Sequence, residues 1–154
     1  MSTAHRMRSH AKHQSRHALA AVHILAANSE QPTENADRIM LALRMAFEKL
    51  KSGTKDHTQF DRLAAAINVG LIRAEQIDPL AAETMVRGVS AMCSCDGIAQ
   101  RHGRYGFTGP DLLDLGEALD LYEQILRLST PKQMLDALDI AAARMRSQLE
   151  TESL

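Results

Sequence analysis

Cys93-Ser94-Cys95, followed by His102, is the pattern in this chain with the most direct reactive potential. A thiolate beside an imidazole is a nucleophile pair, and the same side chains are zinc ligands. Zinc ribbons need paired cysteine motifs at two places, and only one C-x-C is present. No oxyanion-forming segment accompanies the pair either. The reading is therefore structural: Cys93 as a small core residue near Met92 and Met85, with Cys95 on a different face. A second candidate lies at the N-terminus, where His10, His13 and His17 would share one face of a helix. Imidazoles at that spacing bind divalent transition metals, but no nearby carboxylate completes a ligand set. No metal site and no cofactor is expected. H-E-x-x-H, G-x-S-x-G, Walker and paired Glu-x-x-His motifs are missing, so the expectation is a protein that is not an enzyme.

The segment Arg101 to Pro110, RHGRYGFTGP, interleaves Arg101, Arg104, Tyr105 and Phe107 with glycines. Arginine with aromatics can stack on exposed bases or anchor a protein partner, and these four residues are the candidate partner contacts. The competing reading is an interhelical loop whose Tyr105 and Phe107 plug the bundle end. Gly103, Gly106 and Gly109 fit neither a phosphate loop nor a dinucleotide fingerprint. Asp111, Asp114, Glu117, Asp120 and Glu123 follow, one acid every third residue. Three residues turn a helix by about 300°, so this stripe spirals across faces and reads mainly as a solvated surface.

The elements that must position these residues are helical throughout. A first helix is predicted over roughly 10–27. A second over 34–51 is capped by Thr33 or Asn35 and ended by Gly53, with Ile39, Leu43, Phe47 and Leu50 at helical spacing. Thr58 and Asp61 resemble a capping box for a third, whose stripe is Phe60, Leu63, Ile67, Leu71 and Ala74. Asp78-Pro79 opens a fourth that runs to about 100, with a weak spot expected at Gly88 and Gly97. Pro110 opens a fifth. Thr130-Pro131 with Gln133 opens a sixth, with Met134, Leu138, Ala141, Met145 and Leu149 on one stripe. No alternating β-branched run appears. The fold class is all-α, a compact bundle of five or six helices, with residues 1–17 as a basic His-rich arm and 18–154 as one helical domain.

Charge is distributed unevenly. The first 29 residues carry no Asp or Glu but hold Arg6, Arg8, Lys12 and Arg16 and five of the seven histidines. The remainder has 14 basic and 19 acidic side chains, net −5, hidden within a total of −1. Arg6, Arg8, Lys12 and Arg16 are thus the candidate nucleic-acid contacts, giving salt-sensitive attraction without sequence readout. A solvated, partly disordered tail is the plainer reading of the arm. Thr58 to Ala74 is too long and apolar for a recognition helix. Two cysteines one residue apart cannot form a disulfide framework, and no apolar run reaches 18 residues, so a cytoplasmic protein without a membrane span is expected. Residues 6–27 have the faint outline of an export signal, but His17 and His23 flank and interrupt its thin apolar part. Small-residue faces such as Ala64 to Ala66 are compatible with a homodimer.

The stretch LALRMAFEKLKSGTKDHTQFDRLAAAINVGLIRAEQID, residues 41–78, resembles small helical proteins encoded in prophages, plasmids and integrative elements of proteobacteria. The shared pattern is an L-R-x-A-F-x-x-L-K-x-G helix end followed by D-x-L-A-x-A-I-N-V-G-L. It implies a mobile-element setting and transfers no activity or site residue. Asn68 and Gly70 within it are unusual for a helix interior, which points to close helix approach or a partner contact there. The expectation is a stoichiometric interaction protein that binds a host protein or complex as an accessory factor, regulator or inhibitor. Nucleic-acid binding through the arm is the alternative, and a thiol or zinc protein a third.

Overall fold

The computed structural model describes residues 32–153. Five helices make up the fold: α1 (Pro32–Lys51), α2 (His57–Ile77), α3 (Pro79–His102), α4 (Gly109–Leu128) and α5 (Pro131–Glu152). No strand occurs among the described residues, so the described fold is all-α. The helix expected over 10–27, the histidines of the arm, and Arg6, Arg8, Lys12 and Arg16 lie outside the described residues.

Local chemistry sets most of the boundaries. α1 begins at Pro32, ahead of the two residues expected to cap it. A proline at the first helical position gives up an N–H that would have no partner there. α1 ends in a Schellman arrangement: Thr54 N–H donates to Lys49 C=O, Gly53 N–H to Leu50 C=O, and Gly53 takes φ 83°. Asp56, not Thr58, caps α2 by accepting from the Thr58 N–H at 2.9 Å. Asp61, expected to complete a capping box, is fully buried instead. Asp78 alone joins α2 to α3, ending one helix and capping the next. Thr108 caps α4, while Thr130 and Gln133 form the reciprocal capping box of α5.

These short connections alternate the helix directions. The corner end gathers the start of α1, the end of α2 and the α4–α5 turn, where Arg127 meets Asp37 at 2.7 Å and Arg73 meets Ser129 at 3.0 Å. The opposite end, the loop end, holds the α1–α2 and α3–α4 loops, tied by Tyr105 N–H to Thr54 C=O at 3.0 Å.

All five helices contribute to one core, with Leu50, Leu63, Ile67, Met85, Leu115 and Leu119 fully enclosed. Two glycines let α2, α3 and α4 approach closely. A Cβ on Gly88 would sit 2.5 Å from Ala118 Cβ, and one on Gly70 would sit 2.6 Å from Met85 Cε and 2.8 Å from Tyr122. Gly88 is therefore a packing position within an unbroken helix, not the weak spot its type implied. Gly70 meets the expectation of close approach. No helix of the described residues is long and apolar enough to cross a membrane.

Candidate functional site

The loop end is where the candidate partner residues converge. Four of the five aromatic side chains gather there. Tyr105 stacks on Phe60 at 5.0 Å, and its hydroxyl shares a hydrogen bond with His57 Nδ1. Phe107 meets Phe47 edge-on at 5.6 Å, with Lys51 Nζ 5.3 Å from the Phe47 ring centre. Tyr105 is only 2% exposed and Phe107 half-buried against the core. Tyr105 is thus corrected from a surface contact to the plug of the bundle end. Burial won because four apolar rings, two from helices and two from the loop, could close the end together. Gly103, in left-handed conformation at φ 77°, turns the chain out of α3 into this loop.

The loop exposes Arg104 against the α1–α2 segment, where Lys55 and His57 are also exposed. Lys49 is exposed near the end of α1, and Arg101 and His102 at the end of α3, with the Arg101 guanidinium 3.4 Å from the Cβ position of Gly97. The Arg104 stem passes 3.5 Å from the Cβ position of Gly53, so the two loops form one surface. Between them a cavity of about 150 Å³ is lined by Lys55, His57, Asp96, Arg104 and Tyr105. Lys49, Lys55, Arg101 and Arg104 have no ion pair among the described residues.

The acidic stripe of α4 behaves differently. Arg87 reaches Asp114 at 3.7 Å and Glu117 at 3.6 Å on one side. On the other, Arg44 holds Asp120 at 3.0 Å and Glu123 at 3.2 Å, and Arg127 spans Glu123 and Asp37. The hydrogen bond to Asp120 is the main cause that raises the Arg44 pKa above its ordinary value. The spiral predicted from the spacing divides the stripe between two flanks, each answered by arginine.

The two cysteines exchange the places expected of them. Cys95 is fully enclosed and Cys93 is exposed. The buried stripe of α3 runs Met85, Gly88, Ala91 and Met92, Cys95, so Gly88 carries the register that an apolar side chain would have signalled. Burial pushes the Cys95 thiol up to about 12, against a weaker opposing hydrogen bond from the Gly106 backbone. Such a thiol stays protonated and unreactive at neutral pH. No group of three or more His, Cys, Asp or Glu among the described residues is placed to hold a metal ion.

A second surface feature runs along the bundle side. α2 forms the floor of a groove of about 660 Å³ through Ala64, Ile67, Asn68 and Leu71. Val89, Met92, Cys93 and Asp96 of α3 form one wall. Ala141, Met145, Leu149 and Glu152 of α5 form the other. Met145 and Leu149, expected in the core, are half-exposed because they face this groove.

No family model, curated protein or solved structure matches the chain. Lys55 and His57 line the loop-end cavity with Arg104 without any sequence signal, since their approach is set by tertiary packing. The groove was hinted at only by the continuation of the α5 stripe to Leu149.

Proposed function

We propose that this chain is a non-enzymatic interaction protein of a mobile genetic element, acting in the cytoplasm by stoichiometric binding to a host protein or complex. The observation that carries the reading is the loop end: Lys55 and Arg104 line one cavity between the two loops, over an aromatic cluster. Lys49 and Arg101 are exposed at the adjoining helix ends, and none of the four has an ion pair among the described residues. A site packed on an aromatic base loses less entropy on docking than a loose one, and cations without an ion pair among the described residues attract an acidic partner surface. The mobile-element setting rests on the resemblance of residues 41–78. Stacking on nucleic-acid bases is disfavoured, because Tyr105 is enclosed and Phe107 packs on Phe47. The test is retention of one host protein at fixed stoichiometry, lost on the combined charge reversal K55E, R101E and R104E.

A second reading, nucleic-acid binding through Arg6, Arg8, Lys12 and Arg16, is favoured by the absence of any acid in the first 29 residues. It predicts binding that falls steeply with salt and disappears when those four residues become alanine. Salt-insensitive binding contradicts it.

A further inference from the structure

The cavity of about 150 Å³ at the loop end brings Lys55 and Arg104 to one space with His57 and Tyr105. Neither cation has an ion pair among the described residues. We propose that this cavity holds the phosphoryl group of a phosphorylated side chain on the protein partner, an inference that rests on the loop-end reading and narrows it to one chemical group.

Both cations stand on backbone that is tied on either side. Arg104 lies between Gly103, whose φ of 77° turns the chain out of α3, and Tyr105, whose N–H donates to Thr54 C=O at 3.0 Å. Its stem passes 3.5 Å from the Cβ position of Gly53. Lys55 lies between Thr54, whose C=O accepts that bond, and Asp56, whose N–H donates to Thr54 Oγ1 at 3.0 Å while its carboxylate caps α2. Tyr105, enclosed and stacked on Phe60, and half-buried Ala99 close the inner side. The Tyr105 hydroxyl shares a hydrogen bond with His57, which is exposed at the mouth. Groups ordered before the ligand arrives lower the entropy cost of binding it.

Size and charge select the ligand. A cavity of about 150 Å³ takes one benzene-sized group, which matches a phosphoryl, exceeds a carboxylate and excludes a nucleotide. Two cations oppose the single carboxylate of Asp96, itself held by Gln100 Nε2 at 2.7 Å, so the lining is positive. Attraction scales with ligand charge, and a phosphate monoester carries about −1.5 to −2, more than a carboxylate. Its three terminal oxygens accept from a guanidinium and an ammonium together. A nucleic-acid phosphodiester continues on both sides and offers no such free end to a space closed by Tyr105.

The test titrates the full-length protein with inorganic phosphate at constant ionic strength, with chloride as the control anion. It then compares an acidic peptide bearing one phosphoserine with its unphosphorylated form. The expected result is one saturable phosphate site with a Kd on the order of 1 mM. Arg104→Ala and Lys55→Ala should each weaken it about tenfold, and Asp96→Asn should tighten it about threefold. Arg146→Ala, exposed on α5, should leave it unchanged. The phosphopeptide should bind about tenfold more tightly than its counterpart, and the double variant K55A and R104A should erase that preference. No saturable phosphate binding, equal weakening in Arg146→Ala, or no tightening in Asp96→Asn would overturn the proposal. Phosphate binding without preference for the phosphopeptide would reassign the cavity to a free phosphate compound and overturn the partner's role. Phosphatase treatment of the host lysate separates this inference from the reading it rests on. Capture that survives phosphatase but is lost on K55E, R101E and R104E would overturn the phosphoryl group and leave loop-end docking standing, whereas capture lost on phosphatase supports both.

Discussion

The flank of α4 and the loop end contain similar charged side chains and present them in opposite ways. Along α4, four of the five acids meet Arg44, Arg87 and Arg127, so a strongly acidic stretch of sequence becomes a largely neutralised seam. At the loop end, Lys55 and Arg104 lie beside the enclosed Tyr105, and Lys49 and Arg101 are exposed at the adjoining helix ends, all four without an ion pair among the described residues. The surface that looks most charged in sequence is thus the quieter one. What decides presentation is which helices face each other, because long-range pairs such as Arg44 with Asp120 exist only after α1 packs on α4.

The largest test of this contrast is Tyr105→Ala. It removes the stacked ring and the His57 hydrogen bond beneath the cationic surface, and a loss of about 3–5 kcal/mol in urea unfolding is expected. A loss below about 1 kcal/mol would mean that the loop end is not held by its aromatic base. On the flank, Gly88→Ala pushes a Cβ against Ala118, whose own Cβ cannot rotate away. A loss of about 1–3 kcal/mol is expected, whereas Gly116→Ala meets nothing within 4 Å and should gain about 0.5–1 kcal/mol.

Asp56→Ala sharpens the comparison through pH. Hydrogen bonding from the Thr58 backbone, then from Gln59, holds the Asp56 carboxyl below its ordinary range. A depressed folded pKa contributes stability above the unfolded value and loses it as pH falls through the folded one. Removing the cap should therefore cost about 1 kcal/mol at neutral pH and flatten the acid limb of the stability curve. Equal losses at neutral pH and well below the carboxylate range would contradict that assignment.

The smallest effects separate the two charge environments most cleanly. Arg44→Ala should cost about 0.2–1 kcal/mol, and less in high salt. Arg101→Ala and Arg104→Ala should change stability by less than about 0.5 kcal/mol. If the loop-end arginines matter more for folding than Arg44 does, the distinction between a structural seam and a free surface collapses.

Much of the fold was legible because its signals are local. Asp78-Pro79, Thr130-Pro131-Gln133 and Gly53 act through backbone groups a few residues away, so their roles follow from spacing alone. The failures share a different cause. Cys93 and Cys95 exchanged places because Gly88 occupies a buried stripe without looking apolar. Tyr105 looked like a contact because its neighbours are Arg104 and glycines, yet Phe60, 45 positions earlier in the chain, provides its stacking partner. Arg101 and Arg104 were identifiable as exposed candidates, but Lys55 was not, since tertiary contacts such as the Tyr105–Thr54 hydrogen bond and the Arg104 stem against Gly53 bring its loop alongside.

The proposed docking of one acidic partner at the loop end can be broken by charge reversal. The most direct measurement is a pull-down from a proteobacterial host lysate with C-terminally tagged wild type and the K55E, R101E and R104E variant, with nuclease present, quantified by mass spectrometry. One host protein at fixed stoichiometry is expected on the wild type, and its loss from an equally stable variant. Undiminished capture by the variant, or recovery of nucleic acid alone when nuclease is omitted, would contradict it.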